Sequence, residues 1–186
     1  MKNRVVNRVL AAAVFIFSFP YALAEPIMID DFSEKTQSEW VFVSDQVMGG
    51  VSTGRISFKV MSGYSYVEMS GQVSTKNNGG FIQFRRKILD FDLQDKTGIV
   101  LTVRGNGQRY FIHLRNQWTM LPWQYYQAGF DVTESWQEVR LPLTSFKSSS
   151  KWLPKALNGK SLSSVGIVAF GRDHTAQIDL KEIGFY

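Results

Sequence analysis

The chain has 186 residues, 44% of them hydrophobic, with 21 basic residues against 16 acidic and no cysteine. Without a thiol it folds without disulfides, and it offers neither a cysteine nucleophile nor a thiolate metal site. Three basic residues and no acidic ones fall in the first 24, leaving 18 against 16 beyond them, so no clustered basic footprint for nucleic acid is expected. With only His113 and His174 available, a zinc site would need both and a carboxylate, and their spacing does not suggest one.

The N-terminus reads as an export signal. Lys2, Arg4 and Arg8 precede an apolar run from Val9 to Phe19, and Ala22-Leu23-Ala24 is the small-x-small pattern of a cleavage site. The run is about half of the roughly 20 residues that span a bilayer, so no transmembrane anchor is expected after cleavage. The charges all precede a solid apolar block, whereas a mitochondrial transit peptide spreads its arginines around an amphipathic helix. The expectation is a signal peptide over 1–24, an exported, periplasmic protein, and one domain over 25–186.

Beyond the signal, short alternating segments are broken by Gly, Asn, Asp and Ser. Glu34–Glu39 supports at most a helical turn. Arg55 to Val60 alternates, with Ile56, Phe58 and Val60 on one face, and Ser62-Gly63 turns the chain into Tyr64–Met69. A strand over Gly80–Arg86 precedes the apolar face of Ile99, Leu101 and Val103. Gly105-Asn106-Gly107 is a hairpin turn, because Asn and Gly tolerate positive φ, and it leads to the next face, Tyr110, Ile112 and Leu114. Strands at Tyr125–Phe130 and Trp136–Leu141 come before an irregular stretch from Lys147 to Lys160, with at most a helical turn at Leu153–Asn158. Trp152 is unfavourable in a solvated loop, so this loop is expected to fold back on the body or meet a partner. Ser164–Phe170 and Gln177–Tyr186 are the last strands. Many short strands without helices to cover a parallel sheet predict an all-β jelly-roll β-sandwich of two antiparallel sheets.

Four stretches could carry function. In Asp45–Ser52, Gly49 and Gly50 permit close backbone approach, and Asp45 and Ser52 can bond free backbone groups. The stretch is either a self-bonded connection or a binding loop that includes Met48. Asn77-Asn78-Gly79-Gly80-Phe81 is strong turn chemistry, and Arg85 shares a strand face with Phe81. A half-buried Arg85 would pair with a carboxylate, Asp45 being one candidate. Opposite the core face of the hairpin lie Arg109, Phe111, His113 and Arg115, either a solvated face under the Trp118–Trp123 loop or a stripe for an anionic or sugar-like ligand. Trp118, Trp123, Tyr125 and Tyr126 either fill a core or rim, or stack against sugar rings.

Other chemistries find little support. Gly105-Asn106-Gly107 lacks the Lys-Ser/Thr of a phosphate loop, and His-Glu-x-x-His and EF-hand patterns are absent. Asp90, Asp92 and Asp95 read as solvated turn carboxylates, since calcium needs six or more oxygens. A carboxylate pair such as Asp45 with Asp173 or Glu68 is the remaining hydrolytic reading. No metal or cofactor is expected.

Taken in order, five motifs resemble the complex I intermediate-associated protein 30 family. They are Trp40 with Asp45-x-Val47-Met48-Gly49-Gly50-x-Ser52; Asn78-Gly79-Gly80-Phe81 with Arg85; Gly98 with Val103-Arg104-Gly105-Asn106-Gly107-x-x-Tyr110 and Leu114-Arg115; Tyr126-Gln127-Ala128-x-Phe130; and Trp136-x-x-Val139-x-Leu141-Pro142-x-x-x-Phe146. Thr175-Ala176-Gln177 departs from the Gly-Pro-Phe that the family often carries before its last strand. The resemblance implies a galactose-binding-like fold and a non-enzymatic protein, with a mitochondrial role in assembling NADH:ubiquinone oxidoreductase that an exported chain would not share unchanged. The expected function is a binding module, with another protein as first partner, a glycan as second, and no nucleic acid. Its expected surface comprises Asp45, Met48, Gly49, Gly50, Ser52, Asn78, Gly79, Gly80, Phe81, Arg85, Arg104, Phe111, His113, Arg115, Trp123 and Tyr125.

Overall fold

The structure, a computed structural model, describes residues 25–157 and 162–186, without the side chains of 89 and 90. The segment read as an export signal lies outside the described residues, as do Asn158, Gly159 and Lys160 of the irregular stretch.

Twelve strands follow one another: β1 (Ile27–Asp30), β2 (Trp40–Ser44), β3 (Thr53–Met61), β4 (Tyr64–Val73), β5 (Phe81–Phe91), β6 (Gly98–Gly105), β7 (Arg109–Asn116), β8 (Tyr126–Asp131), β9 (Gln137–Pro142), β10 (Lys147–Ser148), β11 (Leu162–Phe170) and β12 (His174–Phe185). They form two antiparallel sheets. The first runs β3-β4-β12-β6-β9 with β1 also on β12, and the second runs β10-β8-β7-β11-β5-β2. Helical structure among the described residues is confined to single 3-10 turns. The all-β jelly-roll sandwich expected from the sequence is therefore the observed fold.

Alternation places the core. On β7, Tyr110, Ile112 and Leu114 are fully buried and the residues between them are not, as the alternation predicts. The hairpin expected at Gly105-Asn106-Gly107 does not form: β6 pairs β12 and β9 while β7 pairs β11 and β8, so this turn carries the chain from one sheet to the other. They meet Leu101, Val103, Ile178 and Leu180 of the first sheet within one continuous apolar cluster. Burying each such side chain contributes about 1.5–3 kcal/mol. The 12-residue β12 serves two partners along one edge, pairing β4 through His174–Leu180 and β1 through Ile183–Phe185.

β11 breaks the alternation. Val165, Gly166, Ile167, Val168 and Ala169 are all buried, although successive residues point to opposite faces. The inner face of this central strand is covered by the first sheet. Its outer face is covered by side chains that rise from the neighbouring strands.

Three strands were not expected: β1, β2 and the two-residue β10. The first two carry apolar residues without clean alternation, and β10 is too short to show a period. The turn expected in Glu34–Glu39 forms at Gln37–Glu39, whereas Leu153–Leu157 is not helical. Trp152 is 83% exposed, so of the two alternatives expected for its loop the indole does not take the first, folding back on the body.

Candidate functional site

The outer face of the second sheet is a groove, and strand register explains its shape. One rung across the sheet reads Lys147, Gln127, His113, Gly166, Arg85, Val41. The next reads Gly129, Phe111, Val168, Gln83, Val43. Central β11 thus contributes the small residues Ser164, Gly166 and Val168, while the flanking strands contribute long or aromatic ones. A low middle strip between tall walls is a concave surface. The resulting cavity holds about 470 Å³, within the range of small-ligand sites.

Met48 and Val47 form part of the rim with Asn78 and Gly79, and Trp123 and Pro122 form another part. Phe81, Gln83, Arg85, His113, Arg115, Tyr125 and Phe170 line the walls.

The Met48–Asn78 side of the rim is built on one buried carboxylate. Asp45 accepts hydrogen bonds from the Ser52 backbone (2.9 Å) and hydroxyl (2.5 Å), and from the Gly80 (2.6 Å) and Phe81 (3.3 Å) backbones. Burial pushes its pKa up, but these four bonds outweigh it and hold the carboxyl below its ordinary value. Both double-glycine motifs follow from this group. A Cβ on Gly50 would stand 2.3 Å from the Asp45 carboxyl carbon, and one on Gly79 would stand 2.3 Å from its Oδ2. The glycines let two loops close over the carboxylate, and that closure sets Met48 and Asn78 at the groove.

The Trp123 side of the rim is held by backbone contacts. The Ser149 hydroxyl donates to the Trp123 carbonyl (2.9 Å) and accepts from the Tyr125 N–H (3.0 Å). Arg115 donates to the carbonyls of Leu121 and Pro122. The Trp123 side chain remains 61% exposed, so an indole face is available to a ligand. Tyr125 lies flat on His113, with ring centroids 3.8 Å apart and planes 10° apart. Burial pushes the His113 imidazole down to about 3, the Arg115 charge adding to this against the Gln127 amide oxygen, which favours the protonated ring, so the ring is neutral.

Among the described residues, Arg85 and Arg115 are the charges of the groove, and no Asp or Glu lines it. Burial, and then the charge of Arg85, push the Arg115 guanidinium below its usual value.

The structure brings nine of the expected surface residues into the groove: Met48, Asn78, Gly79, Phe81, Arg85, His113, Arg115, Trp123 and Tyr125. Phe111 is on the same face, edge-on to Phe170 at 6.1 Å. Asp45, Gly50, Ser52 and Gly80 form the scaffold beneath the rim, and Gly49 closes the Asp45–Met48 turn at φ 90°. The expected Arg85–Asp45 pair does not form, because Asp45 is saturated by loop donors beneath the rim while Arg85 is exposed on the outer face. Arg104 belongs to the opposite sheet, where it pairs with Asp179 (2.8 Å) and lies over the rings of Trp136 and Tyr66. Tyr126 is a core residue, unlike its neighbour Tyr125. The carboxylates considered for hydrolysis are engaged separately, Glu68 with Lys59 and Asp173 with Thr75.

Sequence reasoning missed Val43, Val47, Gln83, Pro122, Ser164, Gly166, Val168 and Phe170 as lining residues. Gln83 was recoverable, since it lies between Phe81 and Arg85 on one strand face. The β11 residues were not, because their strand shows no alternation and nothing local says which neighbours overshadow it.

Known structures share this architecture. The family 11 carbohydrate-binding module of the cellulosomal cellulase Lic26A-Cel5E of Clostridium thermocellum superposes with a TM-score of 0.67 at 14% identity, covering 88% of this chain and 95% of that one. The Clostridium thermocellum module in complex with a β-1,3-1,4-mixed-linked tetrasaccharide gives 0.64 at 15% identity, covering 85% and 93%. An exo-β-agarase gives 0.58 at 11% identity, covering 87% of this chain and 25% of that chain. At these identities the likeness establishes the fold alone. No curated protein is significantly similar in sequence. The model of the complex I intermediate-associated protein 30 family matches residues 30–181, nearly the whole described chain, and the protein belongs to that family.

Proposed function

We propose that this protein is a non-catalytic binding module that acts after export and holds a sugar polymer in the groove of its second sheet. The observation that carries the reading is the groove's aromatic equipment. An exposed indole is fixed at the rim, and a half-buried tyrosine is stacked on a neutral histidine beside it. Flat apolar faces next to amide and hydroxyl groups suit the alternating C–H and O–H surface of a sugar ring. The resemblance in fold to carbohydrate-binding modules supports the same reading.

A second reading is a protein-assembly module, as the family name suggests. It is favoured by the exposed apolar side chains of Val47 and Met48, 76% and 61% exposed at the rim.

Gly166→Phe tests the groove. A Cβ at Gly166 has its nearest neighbours at 3.4 Å, so the new side chain fits at its root and its ring fills the groove floor. The variant should stay folded and lose binding to a glycan array by tenfold or more. Trp123→Ala should weaken binding by about tenfold, consistent with loss of one aromatic contact worth on the order of 1 kcal/mol. If the native protein binds no oligosaccharide at millimolar concentration, while Met48→Asp abolishes a specific protein complex, the assembly reading replaces this one.

A further inference from the structure

Strand register gathers positive charge on the groove face. Arg85, Lys87, Arg109, Arg115 and Lys147 all occupy outer-face positions of the second sheet, given their pairing with Gly166, Ser164, Asp131 and Gln127. Asp131 is the one acidic residue among the described outer-face positions, and it is engaged with Arg109 at 2.9 Å. Beyond residue 24 the sequence holds 18 basic residues against 16 acidic, so this face alone carries a larger positive excess than all the residues beyond 24 together.

Hydrogen-bonding capacity points the same way. Arg85 is exposed and makes no ion pair or hydrogen bond among the described residues. Arg115 gives donors to two carbonyls and meets no carboxylate. The groove's side-chain acceptors are neutral groups such as Asn78, Gln83 and Ser164, and among the described residues it contains no carboxylate to receive the hydroxyls of an uncharged sugar. A site with surplus forked donors and few acceptors is complementary to a ligand rich in acceptors.

We infer that the polymer held in this groove is an acidic polysaccharide, with its carboxylate or sulfate groups met by Arg85 and Arg115 and its ring faces by Trp123 and Tyr125. This rests on the reading of the groove as a sugar site and names the class of sugar. A guanidinium fork matches the spacing of carboxylate and sulfate oxygens, and the charge-assisted bonds are about twice as strong as neutral ones. Nucleic acid is the less favoured polyanion, because two of these cations, Arg85 and Arg115, line the groove, too few to track a phosphate backbone.

The test is calorimetric titration of the full chain with four probes at low and moderate salt. These are an oligouronate, a sulfated oligosaccharide, a neutral mixed-linked β-glucan tetrasaccharide, and a single-stranded oligonucleotide. An anionic oligosaccharide should bind at least tenfold more tightly than the neutral one, with carboxylate and sulfate distinguished by which probe wins. Arg85→Gln should remove most of that preference and flatten the salt dependence, while leaving thermal stability unchanged because Arg85 has no structural partner. Trp123→Ala should weaken charged and neutral sugars alike. Equal or tighter binding of the neutral sugar overturns the inference and leaves the sugar site standing. Binding of no sugar by the folded protein overturns both, and tighter binding of the oligonucleotide overturns the assignment to polysaccharide.

Discussion

Replacing Asp45 with alanine lowers the unfolding free energy by about 4 kcal/mol, a large share of the margin of a domain whose total is about 5–15 kcal/mol. The expected size follows from what the carboxylate does. It is 0% exposed, and its removal leaves the backbone N–H groups of Ser52, Gly80 and Phe81 without their acceptor in a site closed to water. Each such orphan costs about 1–3 kcal/mol. The Ser52 hydroxyl is also lost from the hub, and it links onward to Ser74 through the Ser74 N–H at 3.0 Å. Urea denaturation of Asp45→Ala checks the value, and a change below about 1 kcal/mol would show that the loops are held by other means. Because the carboxyl is held below its ordinary 3.8, its contribution is complete above that pH and is lost as pH falls through the lower folded value. Gly50→Ala and Gly79→Ala should also destabilise, since each places a methyl group against the Asp45 carboxyl group. A substitution at Gly50 therefore reports on the scaffold and is a poor probe of the binding surface.

The second large effect is acid sensitivity centred on His113. Its folded pKa is about 3 and its ordinary value is 6.5. Between those values the unfolded chain takes up a proton that the folded imidazole refuses. Stability therefore falls as pH drops through this window, by up to about 1.4 kcal/mol per unit, and is fully present above about 6.5. His113→Phe keeps a ring for Tyr125 and Phe170 to pack against and removes the titration. The variant should be more stable than the native chain at pH 4.5, and the two should differ little at pH 7.5. Urea titrations at the two pH values decide it. His174, which burial also pushes down, is common to both proteins and cancels in the comparison. An unchanged slope in His113→Phe would place the acid sensitivity elsewhere.

These two residues show how differently the site was written into the sequence. Asp45, the glycines and Ser52 lie within eight consecutive residues, so their mutual bonding could be anticipated as one of two readings. That the second glycine loop, some 30 residues on, closes over the same carboxylate could not be anticipated, because it depends on β2 pairing with β5. Period-2 alternation put His113 on the outward face of its strand, and the structure agrees. Its neutrality comes from the Tyr125 ring and the groove walls, which a local pattern cannot report. Arg104 illustrates the opposite error. Its motif runs directly into β7 in sequence, but β6 and β7 belong to different sheets, so its side chain points away from the groove on the far side of the sandwich.

By itself the sequence determined the fold class, the β3–β4 hairpin and the inner faces of most strands, because alternation and turn chemistry act within a few residues. It could not show that the Gly105-Asn106-Gly107 turn crosses between the sheets, since the same turn chemistry serves both connections. It also carried the ordered motifs of the family. Tertiary structure alone decided that there is a groove, and what sign of charge it bears. The concavity comes from Ser164, Gly166 and Val168 lying between longer side chains on adjacent strands, and strand order is set by long-range packing. The positive face arises in the same way. A chain nearly balanced in charge along its length becomes unbalanced in space, because pairing β10, β8, β7, β11 and β5 brings five basic residues to one side and a single acidic one with them.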